Sequence, residues 1–170
     1  QDGEDHSQKI WLRVARVSRK KSLVRLTPSA RKKFAPLKKE SRLVRLSWRG
    51  GQDRPPLWQG LFDTPVSAPV SSPFGRYRAY DRKGTGWFHK GLDLAADLGQ
   101  AVRAPNEGVV RLARRLKAYG GAVVLDHGHG LYTCYFHMSR VAVKAGQKVG
   151  KGRLLGTVGS EGISTGPHLH

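Results

Sequence analysis

Beyond residue 56 the chain is cut by glycines at close spacing. The apolar runs between the cuts are short and valine-rich: Val109-Val110, Val123-Val124-Leu125, Leu131 to Met138, Val141 to Val143 and Leu154 to Val158. Such runs are too brief for ordinary helices, and β-branched residues bounded by turn formers read as strands. Strands that follow one another without helical segments make antiparallel sheets rather than βαβ units. The expected fold is therefore mainly β, a compact, glycine-punctuated antiparallel sheet closed into a barrel- or sandwich-like body. Residues 108–116 also fit a helical period, but Gly108 and the paired valines favour a strand. In the run Leu131 to Met138, alternation puts Tyr132, Cys134, Phe136 and Met138 on a core face. It puts Leu131, Thr133, Tyr135 and His137 on a more polar face. Gly128-His129-Gly130 supplies a turn that pairs this strand with residues 122–127.

The first 50 residues differ. They hold 15 Lys/Arg against 4 Asp/Glu, a net +11 out of +19 for the whole chain. A field of that sign attracts polyanions such as nucleic acid, anionic lipid or cell-wall polymers, and by itself defines no function. Residues 9–17 and 23–26 suggest a hairpin around a turn at Arg19-Lys20-Lys21-Ser22. Residues 37–47 fit a short helix, although Leu43 to Leu46 also fits a strand. Gly50 to Pro56 is a clear breaker. The expected organisation is a small basic N-terminal segment over 1–50, β-rich with that helical option, a linker over 51–57, and the main domain over 58–170. No apolar run approaches the ~18 residues of a membrane span. With Cys134 as the only cysteine, disulfides and cysteine-ligated zinc are excluded. The chain opens on Gln1, so a processed product or a fragment is expected, and no signal peptide can be read.

Six of the seven histidines lie between residues 89 and 170. His6 and His129 read as surface or satisfied residues, and so does His127 beside the turn. His168 and His170 differ, because on a strand two residues apart share one face with Cα atoms ~6.6 Å apart. Both imidazoles then reach one small site, as two ligands or as one ligand and one catalytic neighbour. His89 and Asp93 would lie ~13 Å apart along a straight strand, but Gly91 permits a bend that brings them together. Two histidines and an aspartate satisfy the ligand count of an open zinc site, and they leave His137 and one of the final pair for acid–base work. No HExxH motif is present, so that motif's glutamate base is not available.

These residues stand in a recognisable order. It runs through Ser72-Pro73-Phe74-Gly75, His89-x-Gly-Leu-Asp93, Ala104-Pro-x-x-Gly108-x-Val110 and Asp126-His-Gly128. It continues through Tyr135-x-His137 and Gly159 to Ser164-Thr-Gly-Pro-His-Leu-His170. Over about residues 58 to 170 the chain resembles the lysostaphin-type zinc metallo-endopeptidases, peptidoglycan hydrolases of bacteria. The resemblance implies one zinc ion held by His89, Asp93 and His170. It implies that His137 and His168 flank the metal-activated water, one as general base and both steadying the oxyanion. Tyr135 is then a candidate substrate contact, and loop 76–88 with Arg78, Tyr80 and Trp87 a candidate groove wall.

The implied activity is hydrolysis of peptide cross-links in peptidoglycan by a monomer in the bacterial periplasm or outside the cell, with a lean toward D-alanyl cross-links. The basic N-terminal segment would hold the enzyme near anionic wall polymers. Family members usually continue past the last histidine, so the domain is expected to be truncated at its C-terminus, with a metal ligand on a residue prone to fray. Met138 stands where leucine is frequent, and Glu161, where a small residue is more usual, is expected to face water. The competing reading is a catalytically silent relative that binds wall or activates another hydrolase, but silent relatives typically lack ligands that are all present here. The stretch Gly99 to Val110 also looks like a biotinyl or lipoyl carrier domain, without the lysine such domains need. Specific nucleic-acid binding has only charge in its favour.

Overall fold

The computed structural model describes residues 21–23, 32, 34–79 and 86–170. Most of the expected N-terminal hairpin, together with His6 and Tyr80, lies outside them. Lys21 and Ser22, expected in its turn, instead belong to β1 (Lys21–Leu23), which pairs in parallel with β3 (Tyr77–Ala79). β4 (Gly86–Phe88) occupies the other side of β3, and a strand from far away in sequence covers the remaining edge. Local patterning cannot reveal such a pairing. Every other strand pair among the described residues is antiparallel, as expected.

The body is a sandwich. One layer is a four-stranded sheet in the order β11 (Lys148–Val149), β7 (Gly108–Leu116), β8 (Gly120–Asp126), β9 (Tyr132–Met138). The other layer comprises a sheet of β10 (Arg140–Val141), β12 (Leu154–Thr157) and β6 (Ala101–Arg103), together with the pair β2 (Val70–Ser72) and β5 (Asp93–Leu94). The main core lies between them, with Val110, Val123, Leu125, Tyr135 and Met138 meeting Leu94, Val102, Leu155, Val158 and Leu169. Each such Val or Leu contributes about 1.5–3 kcal/mol when fully buried.

The outer face of the four-stranded sheet is covered too. Helix α1 (Leu37–Leu46) lays Val44 onto Leu112, Leu116, Ala122, Val124 and Phe136. β8 is thus buried on both faces, with alternate residues feeding the two clusters. The helical option over 37–47 is realised because Leu43 and Val44 pack against this sheet, while Lys38, Lys39, Arg42 and Arg45 stay exposed.

Two irregularities redirect side chains. In β7 the register slips between Val110 and Leu112, so Val110 enters the main core and Leu112 faces the helix. In β9 the slip lies opposite Gly121–Val123, and His137 takes a left-handed φ of 63°. Met138 therefore joins Tyr135 in the main core rather than Phe136 under the helix. Strict alternation fails at this bulge.

Candidate metal centre

Five residues singled out from sequence are brought together, four of them at the ends of strands and turns. His89 follows β4, and its backbone is pinned on both sides: its N–H donates to the Arg76 carbonyl and its carbonyl accepts from Gly75, each at 2.8 Å. The backbone bends at Gly91 before Asp93 enters β5 opposite Ser72. The final segment lies between β5 and β9. Leu94 and Leu169 exchange hydrogen bonds of 2.8 and 2.9 Å, and the His170 carbonyl accepts from the Phe136 N–H at 2.9 Å. Leu169 points into the core, and His168 and His170 point to the site. The fraying expected at His170 is countered by these bonds.

Three atoms form a tight triangle. His89 Nε2 lies 2.9 Å from His170 Nδ1 and 3.0 Å from Asp93 Oδ1, and His170 Nδ1 lies 2.8 Å from the same oxygen. His89 Nδ1 donates to the Pro73 carbonyl at 3.0 Å, so its Nε2 carries a lone pair. A lone-pair nitrogen and a carboxylate oxygen 3.0 Å apart repel unless a cation lies between them. Ligand atoms on a tetrahedral zinc stand about 3.3–3.6 Å apart, so a small outward movement of this triangle admits one. Gly91 is required by close approach, because a Cβ there would lie 2.7 Å from His170 Nε2. This cluster could hold a metal ion.

Burial alone would raise the Asp93 pKa, yet the hydrogen bond from His170 and the charge and hydrogen bond of Arg78 hold its carboxyl well below the usual range. Arg78 binds Oδ2, and it also donates to Ser72 Oγ at 2.9 Å. Oδ1 is left to the histidines.

His137 and His168 face each other across the site with ring centres 4.8 Å apart. Both are oriented through Nδ1–H, His137 to the Glu161 carbonyl at 2.7 Å and His168 to the Gly166 carbonyl at 2.8 Å. Each Nε2 is thereby an available lone pair, and that of His168 lies 3.9 Å from Asp93 Oδ1. Burial, followed by the repulsion of His168, pushes the His137 pKa down to about 3. It is therefore neutral at physiological pH.

Tyr135 is not brought to the site. It is 3% exposed in the main core, and its hydroxyl donates to Thr133 Oγ1 at 2.7 Å. The bulge that follows it separates its direction from that of His137, so it offers substrate no surface. Thr133 in turn donates to His127 Nε2 at 2.7 Å, and His127 Nδ1 donates to the Glu107 carbonyl at 2.5 Å. His127 is thus a satisfied core residue, as read from sequence, and His129 is exposed. Glu161 does not simply face water but pairs with Arg115. Beside the histidines opens a cleft of about 250 Å³, lined in part by Trp87, Phe88, Tyr119 and, from the α1 region, Phe34 and Leu37. Sequence reading placed Trp87 and Arg78 near a groove. It missed Phe34, Leu37 and Tyr119, which no motif marks.

A sandwich of this kind with a His-Asp-His cluster defines a metallopeptidase-like scaffold, and the comparisons agree. The sequence model of peptidase family M23 matches residues 87–170. The catalytic domain of the antimicrobial peptidase lysostaphin from Staphylococcus simulans superposes with a TM-score of 0.54 at 30% identity, covering 61% of this chain and 77% of that one. A zinc-containing peptidase from Vibrio cholerae superposes with a TM-score of 0.62 at 30% identity, covering 66% of this chain and 36% of that one. The DD-carboxypeptidase/endopeptidase Mpg of Neisseria meningitidis is 44% identical over 105 residues, covering 62% of this chain and 24% of its own length. The chain belongs to peptidase family M23, the family of lysostaphin. It spans about a quarter of the length of that Neisseria relative.

Proposed function

We propose that this chain is a zinc-dependent endopeptidase that hydrolyses peptide cross-links of bacterial peptidoglycan. The observation that carries the reading is the triangle of His89 Nε2, Asp93 Oδ1 and His170 Nδ1, faced by two histidines whose Nε2 atoms are both free to take a proton. His89, Asp93 and His170 would hold the ion. When bound in such a site, zinc lowers the pKa of a water toward ~7 and polarises a carbonyl.

The proton chemistry belongs to the protein. His137 is neutral, so its Nε2 accepts the proton of the attacking water as general base. The imidazolium then returns it from Nε2 to the leaving amine. With ring centres 4.8 Å apart, His137 and His168 cannot both carry charge without strong repulsion, so the pair passes a single proton. Whichever ring holds it donates an N–H toward the developing oxyanion. The Glu161 and Gly166 carbonyls keep both rings in the required tautomer throughout.

Relatives named for DD-endopeptidase activity, such as Mpg, support D-alanyl cross-links as the substrate. Such a substrate lies in the cell envelope or outside the cell. Among the described residues no helix is long and apolar enough to cross a membrane. The exposed Lys38, Lys39, Arg42 and Arg45 of α1 support attraction to anionic wall polymers, which should weaken with added salt. The test is digestion of purified peptidoglycan, with mass spectrometry of the released fragments. Cleavage at D-alanyl cross-links that stops with a chelator and returns with zinc supports the reading. Intact cross-links in the presence of zinc-loaded protein would refute it.

A further inference from the structure

We propose that Glu40 of α1 is a positioning residue for His137, so that a helix from the basic N-terminal region forms part of the catalytic apparatus. The inference rests on the endopeptidase reading for its kinetic consequence, though not for its structural one. Glu40 is the only acidic residue of α1, set among Lys38, Lys39, Arg42 and Arg45, which all face solvent. It turns inward instead. Its Oε1 accepts from the Lys117 N–H at 2.9 Å and its Oε2 from the Ala118 N–H at 2.8 Å. One residue on, Ser41 Oγ meets the Tyr119 hydroxyl at 2.8 Å. The helix therefore grips all three residues of the turn that joins β7 to β8.

That turn carries the histidine. The Tyr119 carbonyl accepts the backbone N–H of His137 at 2.8 Å, and the Ala118 carbonyl accepts from Ile163 at 2.8 Å. Ile163 belongs to the loop whose Glu161 carbonyl orients the His137 ring. Both the backbone and the ring of His137 thus hang from residues 117–119, one directly and one through the loop. His137 needs such support, because its φ of 63° lies in a region that a β-carbon disfavours and that persists only where the surroundings over-determine it. A carboxylate bound to two adjacent amides is a strong, directional clamp. The candidate metal triangle is carried by the residue after β4, by β5 and by the final segment, and its backbone hydrogen bonds to Gly75, Arg76, Leu94 and Phe136 do not involve this turn.

The full chain is loaded with zinc, and Glu40→Ala and Glu40→Gln are compared with the parent. The readouts are kcat and KM on a soluble cross-linked peptide, the zinc content, and the solvent-exchange rate of the His137 Nδ1 proton by NMR. Release of the clamp is expected to speed that exchange and lower kcat roughly tenfold, because small misplacements of a catalytic group are costly in rate. KM and zinc content should stay unchanged, and Glu40→Gln, which keeps one carbonyl acceptor, should fall in between. If Glu40→Ala does not fold, the isosteric Glu40→Gln decides alone. Unaltered exchange and kcat in a folded variant, or a loss of kcat equal to the loss of zinc, would overturn the proposal. If the zinc-loaded parent cleaves nothing, the endopeptidase reading fails, while the exchange rates still decide whether Glu40 holds His137.

Discussion

The Arg78 guanidinium holds Oδ2 of Asp93, while Oδ1 of the same carboxylate lies 2.8 Å from His170 Nδ1. Asp93 thus presents one oxygen to the candidate metal with its other oxygen already bound. Groups that orient a metal ligand in this way typically contribute 10–100-fold to affinity. Arg78→Ala should weaken zinc binding by roughly that factor, and Arg78→Lys should recover part of it without restoring the second bond to Ser72. Competition with a chromophoric chelator measures this directly, and equal affinities for all three proteins would remove Arg78 from the account.

His137→Ala and His168→Ala should each retain one zinc ion and lose about 10²–10⁴-fold in kcat. Because the proposed mechanism passes one proton through the pair, the double variant should be little worse than the poorer single one. Metal analysis alongside steady-state kinetics checks both points. Multiplicative losses would show that the two histidines act independently.

Tyr135→Phe should leave KM unchanged, because the side chain is buried away from the cleft. It removes the first donor of the chain that runs through Thr133 to His127. The expected cost is about 0.5–1.5 kcal/mol of stability. Urea denaturation gives that number, and a raised KM with intact stability would return Tyr135 to the substrate site.

Burial lowers the pKa of His127 below its ordinary 6.5, although its bond to the Glu107 carbonyl opposes the shift. The unfolded chain therefore binds a proton at this residue before the folded chain does. Stability should be at its plateau above about pH 6.5 and should fall as the pH drops below it, by at most about 1.4 kcal/mol per pH unit from this group. In zinc-free protein His137 adds a slope of the same sign. Denaturation between pH 5 and pH 7.5 should show a shallower decline for His127→Gln than for the parent, and equal slopes would contradict this.

The candidate metal cluster was legible because its spacing carries the chemistry. His89-x-Gly-Leu-Asp93 places two candidate ligands around a residue that must lack a side chain, and His168-Leu169-His170 alternates two imidazoles around a core leucine. Gly91 was read as the site of a bend. The bend is there, and the closer constraint is the His170 ring, whose Nε2 would lie 2.7 Å from any β-carbon at this position. Tyr135 was misplaced because period-two alternation does not register a bulge, and the one in β9 falls between it and Met138. The parallel pairing of β1 with β3 and the clamp of Glu40 on residues 117 and 118 join parts of the chain more than 50 residues apart. No local pattern encodes such contacts, and only the finished packing defines them.

The most direct test of the central claim is a titration of metal-free protein with zinc, following cleavage of a soluble D-alanyl cross-linked peptide. The triangle of His89, Asp93 and His170 predicts activity that rises linearly and breaks at one equivalent, and that is abolished with the metal in His170→Ala. Saturation with one zinc ion per chain and no cleavage, or undiminished cleavage by His170→Ala, would contradict it.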